Sequence, residues 1–176
     1  MLNLIRIFSL PIALAGLCGC GPQPLPPEPE IKQEVKTISN AAGEVSDTIK
    51  ITSFDNMRYD KMLLEVPAGQ KITLTLVNEG RMPKEAMAHN LVILKLGKDV
   101  NAYVAEAIFS DESDYIPANY ADWVVAHTKM LGAGESDTIT FIAPDKPGEY
   151  PFVCTFPGHS AAGMKGIMRV VVETPL

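Results

Sequence analysis

The sequence predicts an all-β domain, an antiparallel sandwich or barrel of seven to eight short strands with one short helix inserted around residues 98–122. Three observations carry this expectation. From residue 48 onward, apolar and polar residues alternate in short runs, the period of a strand with one buried face. Turn signals containing Gly and Pro separate those runs at the spacing of an all-β domain. Hydrophobic residues make up 47% of the 176 and charged residues 20%, which supports a packed core and excludes wholesale disorder.

The amino terminus comes first. Arg6 is the sole charge in residues 1–19 and is followed by the apolar run Ile7 to Leu17, which is too short to span a bilayer. A basic start, a short apolar stretch and small residues before a cysteine form an export signal. Leu17-Cys18-Gly19-Cys20 resembles the bacterial lipobox, in which the cysteine after a small residue is acylated. Cys20 fits better than Cys18, because bulky Leu17 directly precedes Cys18. The plainer alternative is a cleaved signal without lipid. Residues 21–47 then carry Pro22, Pro24, Pro26, Pro27 and Pro29 among polar groups, the composition of a semi-extended tether.

The folded part is expected over 48–176. Ile49, Ile51 and Ser53 alternate in a first strand, and Pro67-Ala68-Gly69 turns the chain. Ile72, Leu74 and Leu76 lie opposite Thr73 and Thr75 in another strand. The unbroken run Leu91 to Leu94 predicts a strand buried on both faces. Val100, Tyr103, Val104 and Ala107 recur at helical spacing. Val124 to Ala126, Thr138 to Ile142, residues 149–155 and residues 167–173 complete the strands, with turns at Gly132-Ala133-Gly134 and Pro144 to Gly148.

Charge and cysteine count narrow the function. A formal charge of −6, becoming −7 once Arg6 leaves with the leader, excludes a basic nucleic-acid-binding face. Of three cysteines, Cys18 leaves with the leader and Cys20 takes the lipid, so only Cys154 remains. A single thiol in an exported chain cannot form an internal disulfide, which points to a reactive group or a metal ligand.

Period-two alternation directs Tyr150, Phe152 and Cys154 to one side, and Pro157-Gly158 then turns the chain before His159 and Met164. A thiolate, an imidazole and a thioether within eleven residues are soft or intermediate donors, suited to copper rather than calcium or magnesium. A further donor must come from another strand, and His89, just before the Leu91 run, is the candidate. Two histidines, one cysteine and a weak axial methionine make a blue-copper set. Taken singly, Cys154 reads as an inert buried thiol, Met164 as core filling and His89 as a satisfied strand-end histidine. Their conjunction is what points to metal. A cysteine–histidine hydrolase fits poorly, since the thiol faces inward on a strand with no helix N-terminus to activate it. A binuclear copper centre would need a second loop cysteine, and there is none.

The stretch 150–166, with Cys154-Thr-Phe-Pro-Gly-His159-Ser-Ala and then Met164-Lys-Gly, resembles the copper loop of the cupredoxins, azurin-like and auracyanin-like members in particular. Met82-Pro83-Lys84 through Met87, His89 and Asn90, and Val125 to Lys129 through Gly132, Gly134, Glu135 and Asp137 to Phe141, extend the likeness to about residues 48–173. The resemblance implies a Greek-key β-sandwich and one type 1 copper, held by His89, Cys154 and His159 with Met164 axial. It implies that Asn90, with Thr155, ties the two ligand-bearing segments together near the thiolate. It makes His127 a surface histidine that does not ligate, and Met57, Met87, Phe156, Pro157 and Gly158 an apolar rim for partner docking. Three departures stand out: Ala88 where azurins have glycine, four residues between His159 and Met164, one more than in azurins, and no cysteine partner for the azurin disulfide.

The resulting expectation is a non-enzymatic carrier of single electrons. It would pass them between redox proteins while lipid-anchored through Cys20 to a membrane facing the periplasm or cell exterior. The alternative is a periplasmic copper carrier or store with no electron-transfer role.

Overall fold

The computed structural model describes residues 45–172. The expected signal segment 1–20 with Cys20, nearly all of the tether 21–47 and the final residues 173–176 lie outside the described residues. The strands are β1 (Thr48–Phe54), β2 (Arg58–Tyr59), β3 (Leu63–Pro67), β4 (Lys71–Asn78), β5 (Val92–Leu94), β6 (Val124–His127), β7 (Ser136–Ile142), β8 (Gly148–Val153) and β9 (Lys165–Val171). One α-helix, α1 (Val100–Ala107), and the 3₁₀ turns Asp111–Ser113 and Ala118–Trp123 fill the expected insertion. The side chain of Asp99 caps α1 by accepting from the N–H groups of Asn101 and Ala102 at 2.8 and 3.3 Å.

Two sheets enclose one core, in the orders β2-β1-β4-β7 and β3-β9-β8-β5-β6. Alternation along β4 sends Ile72, Leu74 and Leu76 inward, all fully buried, in one cluster with Ile93, Phe152 and Met168 of the other sheet and Leu91 just before β5. Each such aliphatic side chain contributes about 2 kcal/mol through burial. The prediction that Leu91 to Leu94 is covered on both sides has a visible cause. Val92 and Leu94 point away from the main core into a second cluster with Tyr103 of α1 and Val153, closed by Tyr120 and Trp123.

The sandwich is as expected, but two of its pairings run parallel rather than antiparallel: β1 with β4 and β3 with β9. Alternating hydrophobicity fixes which face a strand buries and carries no information about strand direction. The run 58–67 also forms two strands that its sequence does not announce. β2 has only two residues, and β3 acquires its edge through pairing with the distant β9.

What matters for the site is the antiparallel pairing of β5 with β8, in the register Val92↔Val153 and Ile93↔Phe152. The residues just before β5 and just after β8 therefore emerge at the same end of the sheet. His89 and Asn90 are the former, Cys154 and Thr155 the latter.

Candidate metal centre

His89 is fixed by its backbone: its N–H donates to the Leu131 carbonyl at 3.0 Å and its carbonyl accepts from Leu131 N–H at 2.8 Å. Cys154 continues from β8, and its N–H donates to the Met164 carbonyl at 3.0 Å. The turn between them closes on itself, with His159 N–H on the Phe156 carbonyl at 3.1 Å and Met164 N–H on the His159 carbonyl at 2.9 Å. Gly158 and Gly163, with φ of +85° and +98°, take the left-handed conformations this tight loop requires. The extra residue relative to azurins lies in this stretch. The exposed guanidinium of Arg58 holds it by donating to the Ala162 carbonyl.

These anchors bring His89, Cys154 and His159 together, with one donor atom from each lying within 4.8 Å of the others. Cys154 Sγ and His159 Nδ1 are 3.5 Å apart, and the two imidazole centroids are 5.0 Å apart. All three residues are buried, as is Met164, whose backbone joins the other two loop residues. Neither ring nitrogen of His89 has a hydrogen-bond partner. A buried imidazole without partners is costly unless something else engages it. Two imidazoles and a cysteine sulfur, with Met164 buried in the same core cluster as the cysteine, fit copper.

Asn90 joins the segment of His89 to that of Cys154. Its Nδ2 donates to Thr155 Oγ1 at 2.7 Å and its Oδ1 accepts from Thr155 N–H at 2.9 Å. Two contacts of Asn90 were not legible in the sequence. Tyr59 Oη donates to the Asn90 carbonyl at 2.5 Å, and Asn90 Nδ2 also reaches the Asp114 carbonyl at 3.1 Å. Asp114 and Tyr115 both hold left-handed backbone, φ of +55° and +59°, and Tyr115 packs edge-on against Phe156. No sequence signal marks either residue, because both act on the site across long loops.

Burial dominates the electrostatics. It pushes the Cys154 thiol up to about 11, against the opposing influence of the Asn90 and Phe156 N–H groups and the Tyr59 hydroxyl. It pulls the His159 imidazole down to about 4, helped by neighbouring His89. Burial likewise lowers His89, opposed by the Asp55 carboxylate and by the Phe54 carbonyl, which falls short of hydrogen-bonding geometry. The pocket thus favours neutral donors, and a bound cation must displace the thiol proton.

Among the residues expected at the rim, Met57, Met87 and Phe156 are half-buried and Pro157 and Gly158 are exposed. The Phe156 ring sits 4.7 Å from that of His159. His127 lies exposed on β6, its Nδ1 3.1 Å from the Thr128 carbonyl, and takes no part in the donor cluster.

The family model "Copper binding proteins, plastocyanin/azurin family" matches residues 36–172. Outer membrane protein H.8 of Neisseria meningitidis serogroup B is 39% identical over 133 residues, covering 74% of this chain and 69% of the relative. Azurin of Bordetella pertussis is 38% identical over 128 residues, covering 70% and 83%. The crystal structure of dithionite-reduced auracyanin from Roseiflexus castenholzii superposes with a TM-score of 0.66 at 47% identity, over 73% of this chain and 99% of that one. A family match spanning the whole sandwich, found together with a buried donor set suited to copper, establishes that the chain belongs to the plastocyanin/azurin family of copper-binding proteins, the cupredoxins.

Proposed function

We propose that His89, Cys154 and His159 hold one copper, with Met164 as a weak axial ligand, and that the protein carries single electrons between redox partners at a membrane surface. The observation that carries this reading is the meeting of three buried donors within 4.8 Å from two distant segments. Bound copper would supply a one-electron couple, with Cu(I) favouring soft trigonal or tetrahedral donors and Cu(II) tetragonal ones. The chain's contribution is rigidity. Backbone hydrogen bonds fix His89, Cys154, His159 and Met164, and the Asn90–Thr155 pair locks the two segments to each other. Donors held this way have little freedom to rearrange when the charge at the site changes.

His159 is 2% exposed and lies beneath Phe156 and the Pro157-Gly158 tip. A partner seated on this apolar rim comes within one side-chain layer of the donors. The same locked frame disfavours the alternative of a copper carrier or store, which must release its metal readily. Nothing in the arrangement needs a substrate pocket or a general base.

We further propose a division into a lipoprotein signal over 1–20, a tether over 21–47 and the cupredoxin domain over 48–176, with a lipid on Cys20 holding the exported protein to its membrane. The start of β1 at Thr48 and the relative named as an outer membrane protein support this reading. Voltammetry and copper release test the function. A reversible one-electron wave and slow loss of copper to a chelator are expected. Rapid loss with no reversible wave would establish the carrier instead.

A further inference from the structure

Tyr59 belongs to the two-residue strand β2, reached through a left-handed turn at Met57 (φ +55°) and paired with Ser53 of β1. That register points its ring inward, where it is 5% exposed and packs tilted against Phe152 at 5.6 Å in the cluster that also holds Cys154 and Met164. Phenylalanine would fill this space equally well. The hydroxyl is therefore the informative atom, because a polar group brought into a core destabilises it unless it is paired. It is paired with the Asn90 carbonyl, at 2.5 Å, the short end of the O–H···O range.

Asn90 links the segment of His89 to that of Cys154 through its side chain. It adjoins His89 in sequence and holds Thr155, next to Cys154, through two hydrogen bonds. Its own N–H is one of the groups that oppose the rise of the Cys154 thiol. A hydroxyl has one proton, and here it goes to the Asn90 carbonyl, so beside its direct influence on the neighbouring thiol the phenol acts on the site through Asn90.

Resting on the copper reading above, we propose that Tyr59 is a positioning residue of the site: its hydroxyl holds the Asn90 carbonyl, fixes the backbone of that residue and thereby sustains the reduction potential of the bound metal. The sign follows from the Asn90 N–H, which favours the ionised sulfur. Such a donor draws electron density from the thiolate and favours the reduced state, so loosening it lowers the potential.

The test compares copper-loaded wild type, Tyr59→Phe and Val66→Ala. Val66 is fully buried on β3, two strands away from β8, and its truncation destabilises the core without touching Asn90. Tyr59→Phe is expected to keep the intense visible charge-transfer band, to show a lower potential, and to exchange its Thr155 amide proton faster. Val66→Ala is expected to change neither potential nor exchange. An unchanged potential in Tyr59→Phe with the band intact overturns the role of Tyr59 and leaves the copper reading standing. An equal shift in Val66→Ala overturns it too, since general loosening would then suffice. A wild type that binds copper without the band overturns the underlying reading, and this inference with it.

Discussion

Single side chains reveal the site by what they fail to satisfy. His89 is fully buried with both ring nitrogens unpartnered, a state that makes sense when an imidazole nitrogen is a metal ligand. Tyr103 provides the contrast. Its hydroxyl is equally buried and unpaired, and burial pushes its pKa up to about 12, but its ring lies among Val92, Leu94 and Val153 and edge-on to Tyr120, away from the His89–Cys154–His159 group. Tyr103→Phe is therefore expected to be neutral or to stabilise the protein by up to about 1 kcal/mol, read from the urea midpoint. A clear loss of stability would show that the hydroxyl has a partner. At this scale the sequence was informative where chemistry is concentrated. Cys154, His159 and Met164 stand out because soft donors crowd one turn, and His89 because so few histidines remain. Tyr59, Arg58 and Asp114 could not be read, since each acts on a residue at least 24 positions away with nothing local to mark it.

Among elements, the loop from Cys154 to Met164 and the β8–β9 pairing beneath it constrain the site differently. At Gly158 (φ +85°) an added Cβ meets nothing within 4 Å, so Gly158→Ala incurs only backbone strain of about 1 kcal/mol. At Gly166, which pairs with Phe152, a Cβ would run into the Phe152 ring and lie 2.5 Å from the Met62 carbonyl. Gly166→Ala is expected to be more destabilising by at least about 2 kcal/mol, compared by denaturant midpoints. Equal midpoints would mean that β8 and β9 adjust freely and do not fix the loop. The elements themselves were largely legible from residue 48 on, including the helix inserted at 98–122. The misses have one cause. The parallel pairings and the short β2 are products of long-range pairing, and a side chain's period of two encodes its face, not its neighbour.

At the scale of the whole molecule, the described residues form a sandwich that is proposed to sit at the end of a lipidated tether. Among the described residues no helix is long and apolar enough to cross a membrane, and the anchor proposed above is a lipid on Cys20. Cys20→Ser is expected to move the exported protein from the membrane fraction to the soluble fraction, followed by immunoblot, with the folded domain unaffected. Retention in the membrane fraction would require another anchor. The fold, through the register of β5 against β8, converts a separation of 65 positions between His89 and Cys154 into direct proximity. That conversion is the central claim, and the visible absorption spectrum of the copper-loaded protein tests it most directly. An intense sulfur-to-copper charge-transfer band that disappears in Cys154→Ser is expected. Copper bound with no such band, or a band that survives the loss of the thiol, would contradict it.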